Sequence, residues 1–388
     1  MNKKISLGVA VTMIIAFIAA TFAITMSVSQ RIYNRLIGNL QDRMSSYTLV
    51  DELDAIVQKN FYGTVVNDSR NSEMLRGYVD SLNDPSSCYL SKSAYAAYVA
   101  SMNGEINGIG ASVALDSKSG YLTVTSVFEN SPAASAGIKE GDLISVIDGE
   151  TVTKKNYAKM TESLNGSKLT SVKITYLHKN KAKTASVMMG YSAKSVSCKE
   201  NVTTAYIKID GFYANTAKQL DEILKGLSEE ITSIIFDVRG TASGTIKYTT
   251  DTLKLIVPMA NEGSGALATE IDKNGEKTYY ASNSESLSGY SIVVLTDKET
   301  SCCGELFACD LRDFGMAAII GETTKGSADV HEAFSLSNGS GVVLTVAKVY
   351  PYITETFDGV GIEPDVKVEN TNEVDAQLQK ANEYLAKK

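Results

Sequence analysis

The apolar and polar positions divide the chain into successive textures. From Ile5 to Gln30 no charged residue occurs, and at about 1.5 Å per residue such a run can cross a hydrocarbon core about 30 Å thick. Between Tyr47 and Phe61 the residues Leu49, Leu53, Ile56 and Val57 recur at helical spacing, and a second helical stretch is predicted from Met74 to Leu82. After Gly104 come short β-like runs, ASVAL, YLTVTSVF, DLISVIDG and SVKITYL, divided by Gly, Asn and Ser turns. Beyond Val202 strands and helices alternate: TAYIKI, NTAKQLDEILKGL, SIIFDV, a helix near Tyr248 to Ile256, SIVVLT, GELFACDLRDF and AAIIGE. That alternation predicts βαβ layers with mostly parallel strands. VDAQLQKANEYLA, close to the end, predicts a surface-packed terminal helix.

The expected architecture is a multidomain α/β protein. A transmembrane anchor (residues 1–30) precedes a helical lead-in (31–100), a β-rich domain (101–192), an α/β domain (193–370) and a C-terminal helix (371–388). A length of 388 residues suits two or three globular units. With 37 basic and 45 acidic residues the net charge is −8, so the average surface repels phosphate and nucleic acid is not an expected partner. The two histidines, His178 and His331, and the lack of any CxxC or HExxH spacing predict no structural metal. No cofactor is implied. Five cysteines, an odd number, three of them within residues 302–309, form no obvious disulfide framework.

The apolar segment, residues 5–29, has two readings. Thr21 and Ala23 offer a small-residue cleavage site for a secretory signal, but the run exceeds the roughly 7–15 apolar residues of a cleaved signal and favours an uncleaved anchor. Lys3 and Lys4 before it, against Arg31, Arg35 and Arg43 after it, leave the orientation open on charge alone.

Ser131–Glu150, SPAASAGIKEGDLISVIDGE, resembles the core of a PDZ domain: Pro132 opens a short helix, Gly137 closes it, and Gly141-Asp142 turns the chain into a strand. Gly108-Ile109-Gly110-Ala111 resembles the loop of such domains whose backbone N–H groups receive a peptide's terminal carboxylate while the peptide adds as a strand. Upstream, SLNDPSSCYL resembles the LDDPYSxYL segment of the carboxyl-terminal processing (tail-specific) peptidases. IIFDVRGTASG resembles their DLRxNPGG turn and GVGIEPDVKV their GxGIxPDxxV end. The resemblance runs in order from about residue 47 to residue 382. It implies an endopeptidase with a Ser/Lys pair that recognises polypeptide tails through its PDZ domain, outside the cytoplasmic membrane, and hence an anchor with its N-terminus cytoplasmic.

The chain departs from those relatives where their chemistry sits. Their SASASE run, with the middle serine as nucleophile, matches Thr300-Ser301-Cys302-Cys303-Gly304-Glu305. Their GxxTFGKGxVQ run matches Gly321 to His331, with Ser327 at the lysine position and His331 at the glutamine. A thiol near 8.5 is well matched to an imidazole near 6.5. Cys302 is therefore the expected nucleophile and His331 the expected base, with the helix that follows lowering the thiol pKa. Asp329, two residues before His331, would share its face on a regular strand and orient the ring. Backbone N–H groups of Cys303, Ser243 and Gly244 would form the oxyanion hole, with the serine straining any turn that needs φ above zero at 243. Two alternatives stand beside this: a gapped match in which Lys325 remains the base, and a catalytically inactive scaffold that binds C-terminal peptides or a partner protein. Arg239 reads as a structural charge partner, and His178 as exposed and inert.

Overall fold

The computed structural model describes residues 7–37, 40–128, 131–166, 170–258, 266–281, 287–371 and 374–387, in two compact units, Met1–Glu73 and Met74–Lys388. The first unit is helical. Leu7–Ile37 contains the stretch Thr12–Gln30, with mean hydropathy 2.0, long and apolar enough to cross a membrane, and Phe17, Ile18 and Phe22 on it are exposed. Lys3 and Lys4 lie outside the described residues. Leu40–Asn60 forms the next helix, and its Asp54 is ion-paired with Arg70. A third helix, Asn67–Asp80, begins seven residues earlier than Met74 because its first turns are polar.

In the second unit the β-rich module is an antiparallel sheet. Its strands run in the order Ala111–Leu115, Leu122–Val127, Leu143–Ile147, Thr170–His178 and Lys181–Met189. Leu122, Val124, Ile144, Val172, Ile174 and Val187 alternate inward to form its core. The short helix Pro132–Ser135 starts as the sequence indicates, with Ser131 Oγ accepting the Ala134 N–H at 3.1 Å and Gly137 at φ +76° just past its end. His178 is not free in solvent: its Nδ1 lies 2.7 Å from Oδ1 of the buried Asp142, whose other oxygen accepts the Lys139 N–H.

The α/β part holds two sheets. One is six-stranded, in the order Val196–Asn201, Thr204–Ile209, Ser233–Asp237, Ser291–Thr296, Ala317–Gly321 and Val366–Lys367, parallel except for its first strand. Its central strands are apolar on both faces, as sheets covered on both sides are. Ile234, Phe236, Ile292, Val294 and Ile319 face the main core; Ile235, Val293, Leu295 and Ile320 face Ala381 and Leu385 of the terminal helix Ala376–Leu385. The terminal helix thus packs where its pattern predicts. Arg239 bridges Asp237 and Asp375, tying the sheet to that helix as a structural charge.

The second sheet is antiparallel and departs from the parallel expectation. Cys88–Leu90, Gly341–Tyr350, Ala266–Asp272 and Gly275–Tyr280 lie in that order, and Asp329–Ser335 also pairs with Gly341–Tyr350. Two of its strands, Gly275–Tyr280 and Asp329–Ser335, mix exposed and half-buried positions and carry no continuous apolar run to mark them. All five cysteines are free thiols.

Candidate active site

The strand Ser291–Thr296 leads through a short turn into the helix Cys303–Asp313, and the turn is held at both sides. Asp297 Oδ1 accepts the N–H groups of Glu299 and Thr300, Thr300 Oγ1 donates to the Val238 carbonyl, and the Ser301 N–H donates to the Thr241 carbonyl at 3.0 Å. Phe307 anchors the helix on the sheet, with its ring 5.3 Å from Phe212 and 5.4 Å from Phe236. At the junction Cys302 is forced to φ +44°, ψ −98°, a conformation that costs a residue with a Cβ about 1–3 kcal/mol. A β-carbon at the adjoining Gly304 would lie 2.6 Å from the Thr241 carbonyl oxygen, so the helix start is pressed against that backbone.

Cys302 opens onto a cavity of about 480 Å³ whose wall includes Cys303, Gly244, Lys325, Ser327 and His331. The residues matched to the relatives' site are therefore brought together. Their connections differ from those the sequence suggests. Cys302 Sγ donates to the Asp329 carbonyl at 3.3 Å, and no hydrogen bond joins it to His331, whose buried Nε2 has no partner among the described residues. The Cys303 thiol, burial and the carboxylates of Glu305 and Asp329 together push the Cys302 thiol up, so the helix N-terminus does not make it a resting thiolate. Hydrogen bonding from Cys302 holds the Cys303 thiol down.

Asp329 does not orient His331. A bulge between Val330 and His331 sets Asp329 opposite Lys348 but His331 opposite Thr345, and positions 348 and 345 point to opposite faces of their strand. Asp329 Oδ1 instead lies 2.8 Å from Lys348 Nζ. Lys325 lines the cavity but is exposed, whereas a lysine that serves as a base is desolvated.

The turn opposite the thiol is better than expected. The positive φ falls on Gly244, at +140°, not on Ser243, so the serine carries no strain there. A β-carbon at Gly244 would meet the Phe212 carbonyl oxygen at 2.5 Å, which explains the glycine. Phe212 clamps the turn by donating its N–H to the Ser243 carbonyl and accepting from the Thr245 N–H.

One central residue has no role in the sequence reading. Glu305 is fully buried and accepts from the N–H groups of Cys302, Gly326 and Ser327 and from Thr324 Oγ1. It ties the Cys302 turn to the loop that carries Lys325 and Ser327. The available signal was a carboxylate in the first turn of a helix whose other buried residues, Asp310 apart, are apolar or small.

At the β-rich module, the N–H groups of Gly108 and Ile109 are already donated, to the carbonyls of Gly166 at 2.8 Å and Leu164 at 3.1 Å. The Ile109 side chain is buried in the module's core. These two residues are scaffold, which corrects the four-residue carboxylate loop. Among the described residues no group of three or more metal-type side chains comes together.

The two parts of the larger unit correspond to a PDZ domain and a peptidase-family α/β domain. Residues 108–189 match the profile of the PDZ domain, and residues 203–368 that of peptidase family S41. The chain is homologous to the carboxy-terminal processing proteases. It is 27% identical over 305 residues to CtpB and 28% identical over 324 residues to CtpA, both of Bacillus subtilis (strain 168). The alignments take in 76% and 81% of this chain and 62% and 67% of those proteins, so the chain spans about two thirds of their length. Among solved structures, the photosystem II D1 C-terminal processing protease superposes with a TM-score of 0.47 at 21% identity, over 81% of this chain and 85% of that one.

Proposed function

We propose that the protein is a membrane-anchored endopeptidase that binds polypeptide C-terminal tails through its PDZ domain and hydrolyses peptide bonds with Cys302 as nucleophile. One observation carries this reading: a cysteine in a strained strand-to-helix turn shares a cavity with a buried imidazole nitrogen that has no partner among the described residues. His331 takes the thiol proton as Cys302 Sγ attacks the scissile carbonyl carbon. The carbonyl electron pair moves to its oxygen, which faces the N–H groups of Cys303 and Gly244. Collapse of the adduct breaks the C–N bond, and His331 returns the proton to the departing amine. Water, deprotonated by the same imidazole, then cleaves the thioester and restores the thiol. Because the Cys302 thiol is pushed up, it rests neutral and is activated only as it attacks.

The tail carboxylate falls to Gly110 and Ala111, the two loop residues left after Gly108 and Ile109 are committed. Residues 5–29 serve as the anchor, with the N-terminus cytoplasmic and the bulk of the chain outside, and the domains divide at 30, 100, 192 and 370. A second reading, an inactive tail-binding scaffold, is favoured by the Cys302 hydrogen bond to Asp329 in place of His331.

The test is hydrolysis of an unfolded peptide with a free C-terminus by the full chain in detergent. Cys302→Ala lowers kcat/KM at least about 10³-fold, as loss of a nucleophile does. Tail binding without any turnover by the unaltered protein establishes the scaffold instead. Activity that survives in Cys302→Ala and disappears in Lys325→Ala assigns the base to Lys325.

A further inference from the structure

Not every charge around the cavity has a partner. Its wall carries the lysines Lys247, Lys277 and Lys325 and the carboxylates Glu270, Asp329 and Glu332. Lys247 lies 2.6 Å from Asp251, Lys277 3.6 Å from Glu270, and Asp329 2.8 Å from Lys348. Among the described residues the Lys325 ammonium has neither an ion pair nor a hydrogen bond, which makes it the uncommitted cation of the cavity wall. Its mount is rigid. The Lys325 N–H donates to the Thr300 carbonyl at 3.0 Å, and the N–H groups of Gly326 and Ser327 donate at 2.6 Å and 2.9 Å to Glu305, which also takes the Cys302 N–H at 2.8 Å. Gly326 stands at φ +80°, where a β-carbon would lie 2.6 Å from the Gly361 nitrogen, and its carbonyl accepts the Gly359 N–H at 2.9 Å. One buried carboxylate thus fixes the backbone under Lys325 relative to Cys302, while the side chain itself is exposed. It offers three donors and a positive charge to an anion. At a net charge of −8 the average surface repels an acidic polypeptide, so an anion that enters here is selected locally. With the tail's terminal carboxylate at Gly110 and Ala111, the anion left for Lys325 is a side-chain carboxylate.

We propose that Lys325 is a specificity-determining residue that selects polypeptides carrying an aspartate or glutamate close to the bond cleaved at Cys302. The selection rests on the peptidase reading for its catalytic meaning, but binding tests it without turnover. A fluorescent peptide with a free C-terminus carries a single glutamate at successive positions, and the glutamine peptide is the control at each. The tail is the same throughout, so the PDZ contribution cancels in the Glu/Gln ratio. At one or two neighbouring positions the glutamate peptide binds the full-length Cys302→Ala protein in detergent about 3- to 5-fold more tightly, the scale of an exposed ion pair, and added salt erases the difference. Lys325→Met brings the ratio to one, Lys325→Arg restores it, and Lys325→Glu takes it below one. Because the side chain is exposed and the mount consists of backbone N–H groups, these substitutions leave the fold in place. In the protein that keeps Cys302, the ratio appears in KM and not in kcat. A ratio of one at every position, or a ratio that survives Lys325→Met, overturns the proposal. Equal loss of turnover on both peptides in Lys325→Met, with the ratio unchanged, places Lys325 in the catalytic apparatus and overturns it as well. A ratio governed by Lys325 in a protein that hydrolyses neither peptide keeps the selection and removes the peptidase reading.

Discussion

The glycine loop at residues 108–111 and the Cys302 turn at residues 301–305 are both short segments rich in small residues, each interrupted by one larger side chain, Ile109 or Glu305. They end up opposite. In the PDZ loop the positive φ angles fall on Gly108 and Gly110, without strain, and two of the four N–H groups are consumed by the fold. In the Cys302 turn the positive φ falls on Cys302, and Glu305 binds the Cys302 N–H while its neighbour Cys303 lines the cavity. The first loop spends half of its donors on its own stability and carries no strain; the second commits the Ser301, Cys302 and Gly304 N–H groups and keeps its strain at Cys302.

The largest effect expected from breaking this contrast is at Glu305. Glu305→Ala strands four buried donors and should cost at least about 3 kcal/mol in chemical denaturation, at about 1–3 kcal/mol per unpaired group, with hydrolysis lost. Next come matched insertions of one β-carbon. Gly110→Ala would bring it to 2.3 Å from Ser131 Cβ, and Gly304→Ala to 2.6 Å from the Thr241 carbonyl oxygen. Each should cost about 1–3 kcal/mol, the first weakening tail binding in a fluorescence titration and the second slowing hydrolysis. Cys302→Gly should do the reverse, raising stability by about 1 kcal/mol through relief of the positive φ while ending turnover. The smallest effect is electrostatic. The Ser87 hydroxyl holds Asp84 at about 2 in the folded state, below its ordinary 3.8. Its contribution is therefore complete above about pH 4 and lost as pH falls toward 2. Asp84→Asn should flatten that part of the acid-unfolding curve.

How far the sequence reached depended on the kind of element. Thr204–Ile209 and Ser291–Thr296 were legible to the residue, the first because its apolar positions alternate on one buried face and the second because a strand buried on both faces is written as an apolar run. Asp329–Ser335 and Gly275–Tyr280 were not, since half-exposed strands carry a mixed pattern. Cys302 and the helix that follows it were legible as a motif in register. The face of His331 was not, because one extra residue in a strand reverses every later side chain and leaves no mark in composition.

The sequence by itself determined the order of the domains, the apolar lead segment, the covered sheet with its terminal helix, and the turns at which glycine or a strained cysteine must stand. These follow from short-range pattern and steric rules. Only the tertiary structure decided which N–H groups remain open, that Asp329 serves Lys348, and that Ser87 arrives at the Thr345 backbone. Each of those outcomes depends on partners distant in the chain, such as Ser87 and Thr345, 258 positions apart, and a hydrogen-bonding group reveals its partner only once folding has put the two within reach.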